Sequence, residues 1–314
     1  MQLHLTFSAR HVRLPLSHRY ALQGMLYHAL ASNPHYSNYV HNSGYSCGAR
    51  NYKLFTFGRL SGPFMHSERE IIFKDTVHFE VRSVDPNFVY QLGSVLCPSS
   101  QINLFENTLE ILDSRIEDYS PNTCCAKISM LSPITVFETE RSGYRRFIAP
   151  DESLFYTAVV NNALRKWQSY FNTPAPTDFS FEPALPPAEL IQNHRIVSRF
   201  KKSTIVSYGG SYVLRGNGKL INFLYDAGLG SKNSQGLGMF NIESFPDLLF
   251  CRIFSEQPSN RFTQTLTQRR NVLFRIIYFY KFFFIRPKIF NSFSRLQYNG
   301  VFFRADKAQI AHIY

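Results

Sequence analysis

With 314 residues, 44% of them hydrophobic and 18% charged, the chain carries enough apolar material for a packed core, which excludes wholesale disorder. No uninterrupted apolar run reaches the roughly 18 to 20 residues that a membrane-spanning helix needs. The formal net charge of +12 favours a polyanionic partner, nucleic acid first.

The start alternates Leu3, Leu5 and Phe7 against Gln2, His4 and Thr6, the pattern of a half-buried strand and not the layout of a signal peptide. From Ser17 the period changes, and Leu22, Met25, Leu26, Ala29 and Leu30 share one face of a helix that ends near Ala31. Pro34 opens a short second helical stretch to His41, closed by Asn42-Ser43-Gly44. Strands are expected at Lys53–Leu60 and in a hairpin at Glu70–Val84. Asp85-Pro86 then starts a helix that Cys97-Pro98 stops, and Ile102–Tyr119 returns to strand character. The order β-α-β-β-α-β is the ferredoxin-like unit.

The same order begins again. Cys125–Thr139 reads as strand and about Asp151 to Phe171 as helix. A Pro/Ala-rich connector covers Thr173–Pro187, followed by strands near Arg195–Ser207 and Ser211–Leu214 and a helix around Lys219–Ala227. The expected fold is therefore α+β, two tandem ferredoxin-like (βαββαβ, RRM-like) domains over residues 1–122 and 123–243. Residues 244–314 form a separate tail holding 13 of the 30 phenylalanines and a net +8 of the charge. Arg275, Lys281, Arg286 and Lys288 interrupt its apolar stretch, so it does not span a bilayer and is read as a basic aromatic addition outside the family fold. Its Phe, Ile, Asn, Tyr and Lys are residues of AT-rich codons and read as translation past an ordinary stop or through a frameshift, the alternative being a basic amphipathic segment resting on a membrane or an RNA backbone. The five cysteines show no CxxC or zinc-like spacing, which suits a reducing, cytoplasmic setting without a metal or other cofactor.

The densest local signal is Gly228-Leu229-Gly230-Ser231-Lys232-Asn233-Ser234-Gln235-Gly236-Leu237-Gly238-Met239. Four glycines permit φ > 0 and close backbone approach, and such a loop can turn N–H groups toward a phosphate. The spacing fits neither a Walker loop nor a dinucleotide fingerprint. The motif GLGSKNSQGLGM, after a helix and before a strand, resembles the glycine-rich signature of the CRISPR repeat-processing endoribonucleases, the Cas-six type of the RAMP superfamily. The segments LPLSHRYALQGMLYHAL, YVHNSG, YKLFTFGRL and MLSPITVF resemble further blocks of that family in the right order.

The resemblance implies an enzyme that binds CRISPR repeat RNA and cuts it once per repeat without a metal ion, by attack of a ribose 2′-OH on the adjacent phosphate. A non-cleaving RAMP subunit that holds guide RNA is the alternative. Other CRISPR effector subunits are further candidate partners, and the chain is expected as a monomer or homodimer away from membranes. Such chemistry needs a base near the 2′-OH, an acid near the leaving 5′-oxygen and positive charge near the phosphoryl oxygens. His41 falls on the family's histidine, and histidine titrates near neutral pH without special tuning. His28 and His35 are the fallbacks. Tyr27 matches the tyrosine of the LQGxxY block and lies roughly 130° from the centre of the helix's apolar stripe. Lys53 opens the next strand, with Arg50 as the other candidate cation. Gly228, Gly230, Lys232, Asn233, Gly236 and Gly238 are expected to grip RNA, and so is the basic cluster Arg199, Lys201 and Lys202. A β-branched residue at 230 or 236 is expected to weaken RNA binding more than the fold.

Overall fold

A computed structural model describes residues 1–201 and 203–243, together with the backbone of 297–298 and 301–302. The first half builds β1 (Gln2–Ser8), α1 (Arg19–Leu30), β2 (Phe55–Phe57), β3 (Thr76–Ser83), α2 (Pro86–Leu96) and β4 (Asn107–Glu117). The strands are antiparallel in the order β2-β3-β1-β4, and Gln101–Leu104 folds back on the outer edge of β4. Alternation in β1 puts Leu3, Leu5 and Phe7 in the core, where they meet Leu22 and Leu26 of α1 and Phe88 and Leu92 of α2. Asp85 caps α2 by accepting from the Asn87 N–H, and Pro86 occupies the first turn, where a missing donor costs nothing.

The second half repeats the plan with β5 (Cys125–Met130), α3 (Ser153–Phe171), β6 (Ser180–Pro183), β7 (Ser211–Arg215), α4 (Gly218–Ala227) and β8 (Phe240–Glu243). Its strand order, β6-β7-β5-β8, is again antiparallel and places the first strand between the third and the fourth. Two hairpins are inserted. One pairs Phe137–Thr139 with Arg145–Phe147, and the other pairs Arg195–Phe200 with Ser203–Tyr208.

Two expected elements are corrected. Glu70–Phe73 and Thr76–Ser83 are both strands but do not pair as a hairpin. Glu70–Phe73 joins Arg13–Pro15 and Phe64–His66 in a small separate sheet, while β3 fills the centre of the first sheet. The presumed connector Thr173–Pro187 contains β6, whose Phe181 is buried against Tyr212. Pro183 is tolerated there because β6 lies at the sheet edge.

Arg82 on β3 ties the two sheets. It is 1% exposed, donates through its guanidinium to the Phe240 carbonyl at 2.7 Å, pairs with Glu80 at 2.5 Å and stacks 3.8 Å from the Tyr225 ring centre. Every face of this buried cation is thereby used, the condition under which a buried charge is tolerated. Separately, Gln297–Tyr298 pairs antiparallel with Val301–Phe302. The other residues of the 244–314 tail, and Lys202, lie outside the described residues.

Candidate active site

His41 sits in a single π-helical turn, Tyr39–Ser43, that follows the short helix Pro34–Asn38. Such turns push one residue out of the regular helical register. Gly44 closes the turn at φ +61°, and a Cβ there would lie 2.3 Å from the Tyr52 carbonyl oxygen, so only glycine fits. The His41 Nδ1 is 2.8 Å from the Asn42 Oδ1. Asn42 in turn donates from Nδ2 to the Asn38 Oδ1 at 2.5 Å. In the tautomer that donates from Nδ1 to the Asn42 oxygen, Nε2 is the ring nitrogen that can accept a proton.

The segment is held from behind by Asp85. Its Oδ2 accepts from the Tyr36 hydroxyl at 2.6 Å and the Tyr45 hydroxyl at 2.8 Å, one on each side of His41 in sequence. Burial, followed by the bond to Asp85, pushes both phenols above their ordinary range, so both remain donors.

Tyr27 and Lys53 complete the cluster. The Tyr27 ring meets the His41 ring edge-on at 5.2 Å and Phe55 at 6.2 Å. Lys53 donates from Nζ to the Tyr27 hydroxyl oxygen at 3.2 Å and to the His41 carbonyl oxygen. Burial raises the Tyr27 pKa and lowers that of Lys53. Leu54, at φ +44°, breaks the strand between Lys53 and the core residue Phe55. That backbone region is sparsely populated by bulky residues and marks a constrained site. The structure thus brings Tyr27, His41 and Lys53 together. Arg50 lies exposed beside the turn of the Tyr45–Cys47/Arg50–Tyr52 hairpin, with its side chain on Tyr52. His28 and His35 are also exposed; of the three histidines, His41 is the one against Tyr27.

The glycine-rich loop lies largely inside the protein. Gly228, Gly230, Gly236 and Gly238 are buried at positive φ. Lys166 of α3, 3% exposed, donates to the Gly228 carbonyl at 2.7 Å, the Gly230 carbonyl at 2.9 Å and the Asn233 Oδ1 at 2.6 Å. Asn233 donates from Nδ2 to the Leu229 and Leu237 carbonyls and accepts from Lys166, so its amide is engaged inside the protein. The first half of the chain grips the loop from the other side: Thr56 donates to the Leu237 carbonyl and Gln23 to the Ser234 carbonyl. A Cβ at 236 would lie 2.5 Å from the Phe57 ring, and one at 230 would lie 2.6 Å from the Thr135 oxygen. At 230 and 236 an added side chain would meet protein, which counts against the expectation that substitution there touches RNA before the fold. Ser231, Lys232, Ser234 and Gln235 form the loop's partly exposed edge.

Arg199 and Lys201 are exposed near the turn of the Arg195–Tyr208 hairpin. The adjoining Phe200 packs with Ile205, Phe147 and the loop's Leu237, so this basic hairpin end adjoins the glycine-rich loop. Sequence reasoning missed Asp85, Asn38 and Asn42 as supports of His41, and Lys166 as the anchor of the loop. The Asp85-Pro86 cap was visible, but its second task depends on tyrosines 49 and 40 residues away.

Residues 117–242 match the family described as CRISPR associated protein Cas6, C-terminal. The chain is 26% identical over 245 residues to a CRISPR-associated endoribonuclease Cas6 of Pyrococcus furiosus, covering 74% of this chain and 85% of that protein. It is 25% identical over 243 residues to a second Cas6 endoribonuclease, from Methanocaldococcus jannaschii, covering 73% and 88%. A solved structure of a Cas6-related protein from Pyrococcus furiosus superposes with a TM-score of 0.66 at 17% identity over 77% of this chain and 98% of that one, a likeness of fold.

Proposed function

From its place among the Cas6-type repeat-processing proteins, we propose that the chain is an endoribonuclease that cuts CRISPR repeat RNA by side-chain chemistry alone. One observation carries the reading. A lysine ammonium bridges the tyrosine hydroxyl and the histidine backbone of one solvent-facing cluster, and the Nε2 of that histidine is bonded to no other group among the described residues.

His41 takes the proton of the 2′-hydroxyl through Nε2. The oxygen attacks the adjacent phosphorus, the bond to the 5′-oxygen breaks, and the departing 5′-oxygen takes a proton from water, so a 2′,3′-cyclic phosphate and a 5′-hydroxyl result. Lys53 stabilises the negative charge growing on the phosphoryl oxygens. Tyr27, whose hydroxyl accepts from Lys53, keeps its own proton to donate to the same group. Arg199, Lys201 and the exposed edge of the glycine-rich loop at Lys232 supply backbone contacts, while the buried glycines and Asn233 shape that edge.

End-labelled repeat RNA incubated in EDTA tests this reading. Cutting at one position with a cyclic phosphate end supports it, and His41→Ala is expected to slow that cut by on the order of 10² to 10⁴-fold with RNA binding retained. RNA that is retarded but intact assigns the chain to the non-cleaving binders. Wild-type cutting by His41→Ala removes His41 from the mechanism.

A further inference from the structure

The inserted hairpin Phe137–Thr139/Arg145–Phe147 sorts its charges by face. Phe137 opposes Phe147, Glu138 opposes Arg146 and Thr139 opposes Arg145. Alternation puts Glu138 and Arg146 on one face and Phe137, Thr139, Arg145 and Phe147 on the other. On the first face Arg146 is paired twice, with Glu138 at 2.9 Å and Glu152 at 2.7 Å. On the second, no carboxylate pairs with Arg145 among the described residues.

That second face looks onto the glycine-rich loop. Phe147 packs with Leu237 of the loop and Phe200 of the neighbouring hairpin. The Phe137 ring receives two cations, with the Arg145 guanidinium 5.3 Å and the Lys232 ammonium 5.5 Å from its centre. Each distance is within the range of a cation–π contact. Burial first, and then the charge of Arg145, lowers the Lys232 pKa, so the two cations feel each other. Lys232 is fixed at φ +62°, in a loop held by Lys166 and Gln23. Two like charges are therefore built against one ring with no acid between them, which costs electrostatic energy unless an anion joins them.

We propose that Arg145 and Lys232, converging on Phe137, form one phosphate-binding subsite that takes a single internucleotide phosphate of the RNA substrate. The subsite rests on the endoribonuclease reading above and adds to it a residue, Arg145, from outside the glycine-rich loop. Gln23, which grips the loop, precedes Tyr27 by four residues on the same face of α1. The loop is thus anchored one helical turn, about 6 Å along the axis, from the catalytic tyrosine.

The test uses the full chain and a repeat RNA carrying a 2′-deoxyribose at the mapped cleavage site, so that binding is read without cutting. Affinity is measured against salt for wild type, Arg145→Gln, Lys232→Gln, the double variant and Arg146→Gln. The double variant is expected to flatten the slope of log affinity against log salt by about 0.7 to 0.9, the worth of one phosphate. Each single variant should already lose most of the affinity that the double loses, because the phosphate is shared. Arg146→Gln, altered on the opposite face, keeps the wild-type slope.

An unchanged slope in the double variant overturns the subsite, as do additive single losses that together amount to two phosphates. A fall for Arg146→Gln as large as that for Arg145→Gln would show general surface charge and overturn it too. Wild-type binding and cutting of the unmodified repeat report separately on the endoribonuclease reading. If the wild type does both while the slopes stay fixed, only the subsite fails.

Discussion

Gly236→Ala separates what the glycine-rich loop does for the fold from what it does for a ligand. At φ +76°, an alanine adopts a left-handed conformation that costs about 1–2 kcal/mol. Its Cβ would also lie 2.5 Å from the Phe57 ring and 2.9 Å from the Arg19 side chain. Phe57 is fully buried and cannot move aside, so overpacking adds about 1–3 kcal/mol. The sum, about 2–5 kcal/mol, is a large part of the roughly 5–15 kcal/mol that holds an ordinary domain together. Gly143 supplies the control, since it has a similar φ of +83° with nothing within 4 Å of an added Cβ. Gly143→Ala should show the conformational cost alone. Urea unfolding of both variants beside wild type measures the difference, and RNA affinity is then compared at equal folded fraction. Equal destabilisation by the two alanines would refute the packing argument. Full stability of Gly236→Ala with lost affinity would return the glycine to the ligand-facing role that the sequence suggested.

Removing the two phenols that hold the His41 segment, as Tyr36→Phe with Tyr45→Phe, should slow single-turnover cleavage on the order of tenfold to a hundredfold through misplacement of the base. RNA affinity should stay unchanged, and a wild-type rate would show that Asp85 does not position the segment. Tyr27→Phe and Lys53→Ala should each lower the cleavage rate at saturating RNA, which single-turnover kinetics reads directly. Burial lowers the Lys166 pKa to about 7 from 10.5, so between those values the unfolded chain binds one proton more than the native one. Stability relative to Lys166→Met should therefore rise as pH increases from 7 toward 10, and chemical denaturation across that range giving a flat difference would exclude the effect.

Local chemistry was legible in the sequence; the contacts that put it to use were not. The alternation of Leu3, Leu5 and Phe7 was enough to seat β1, and Asp85-Pro86 was enough to start α2. The four residues Ser180–Pro183 were hidden because an edge strand so short, with proline at its end, carries no periodic signal above that of a connector. For the site, chemical type and block order singled out Tyr27, His41 and Lys53, yet the hydrogen bond between Lys53 and Tyr27 joins residues 26 positions apart, beside a left-handed kink at Leu54 that no propensity of leucine announces. The loop glycines were rightly read as positive-φ positions. What they turn toward is decided by Thr56 and Phe57, some 180 residues earlier. Arg145 was invisible for the same reason, because its partner Lys232 belongs to a different element.

The seam that Thr56 makes with the Leu237 carbonyl sets the timing of assembly during synthesis. The two residues are 181 positions apart, and at about 5–20 residues per second a ribosome delivers the second roughly 10–40 s after the first. Throughout that interval the strand that follows Lys53 lacks the cover it has in the finished molecule, and Arg82 lacks the Phe240 carbonyl. Completion of this seam is therefore a late event in the making of each chain, reached only once the last strand of the second sheet has been synthesised.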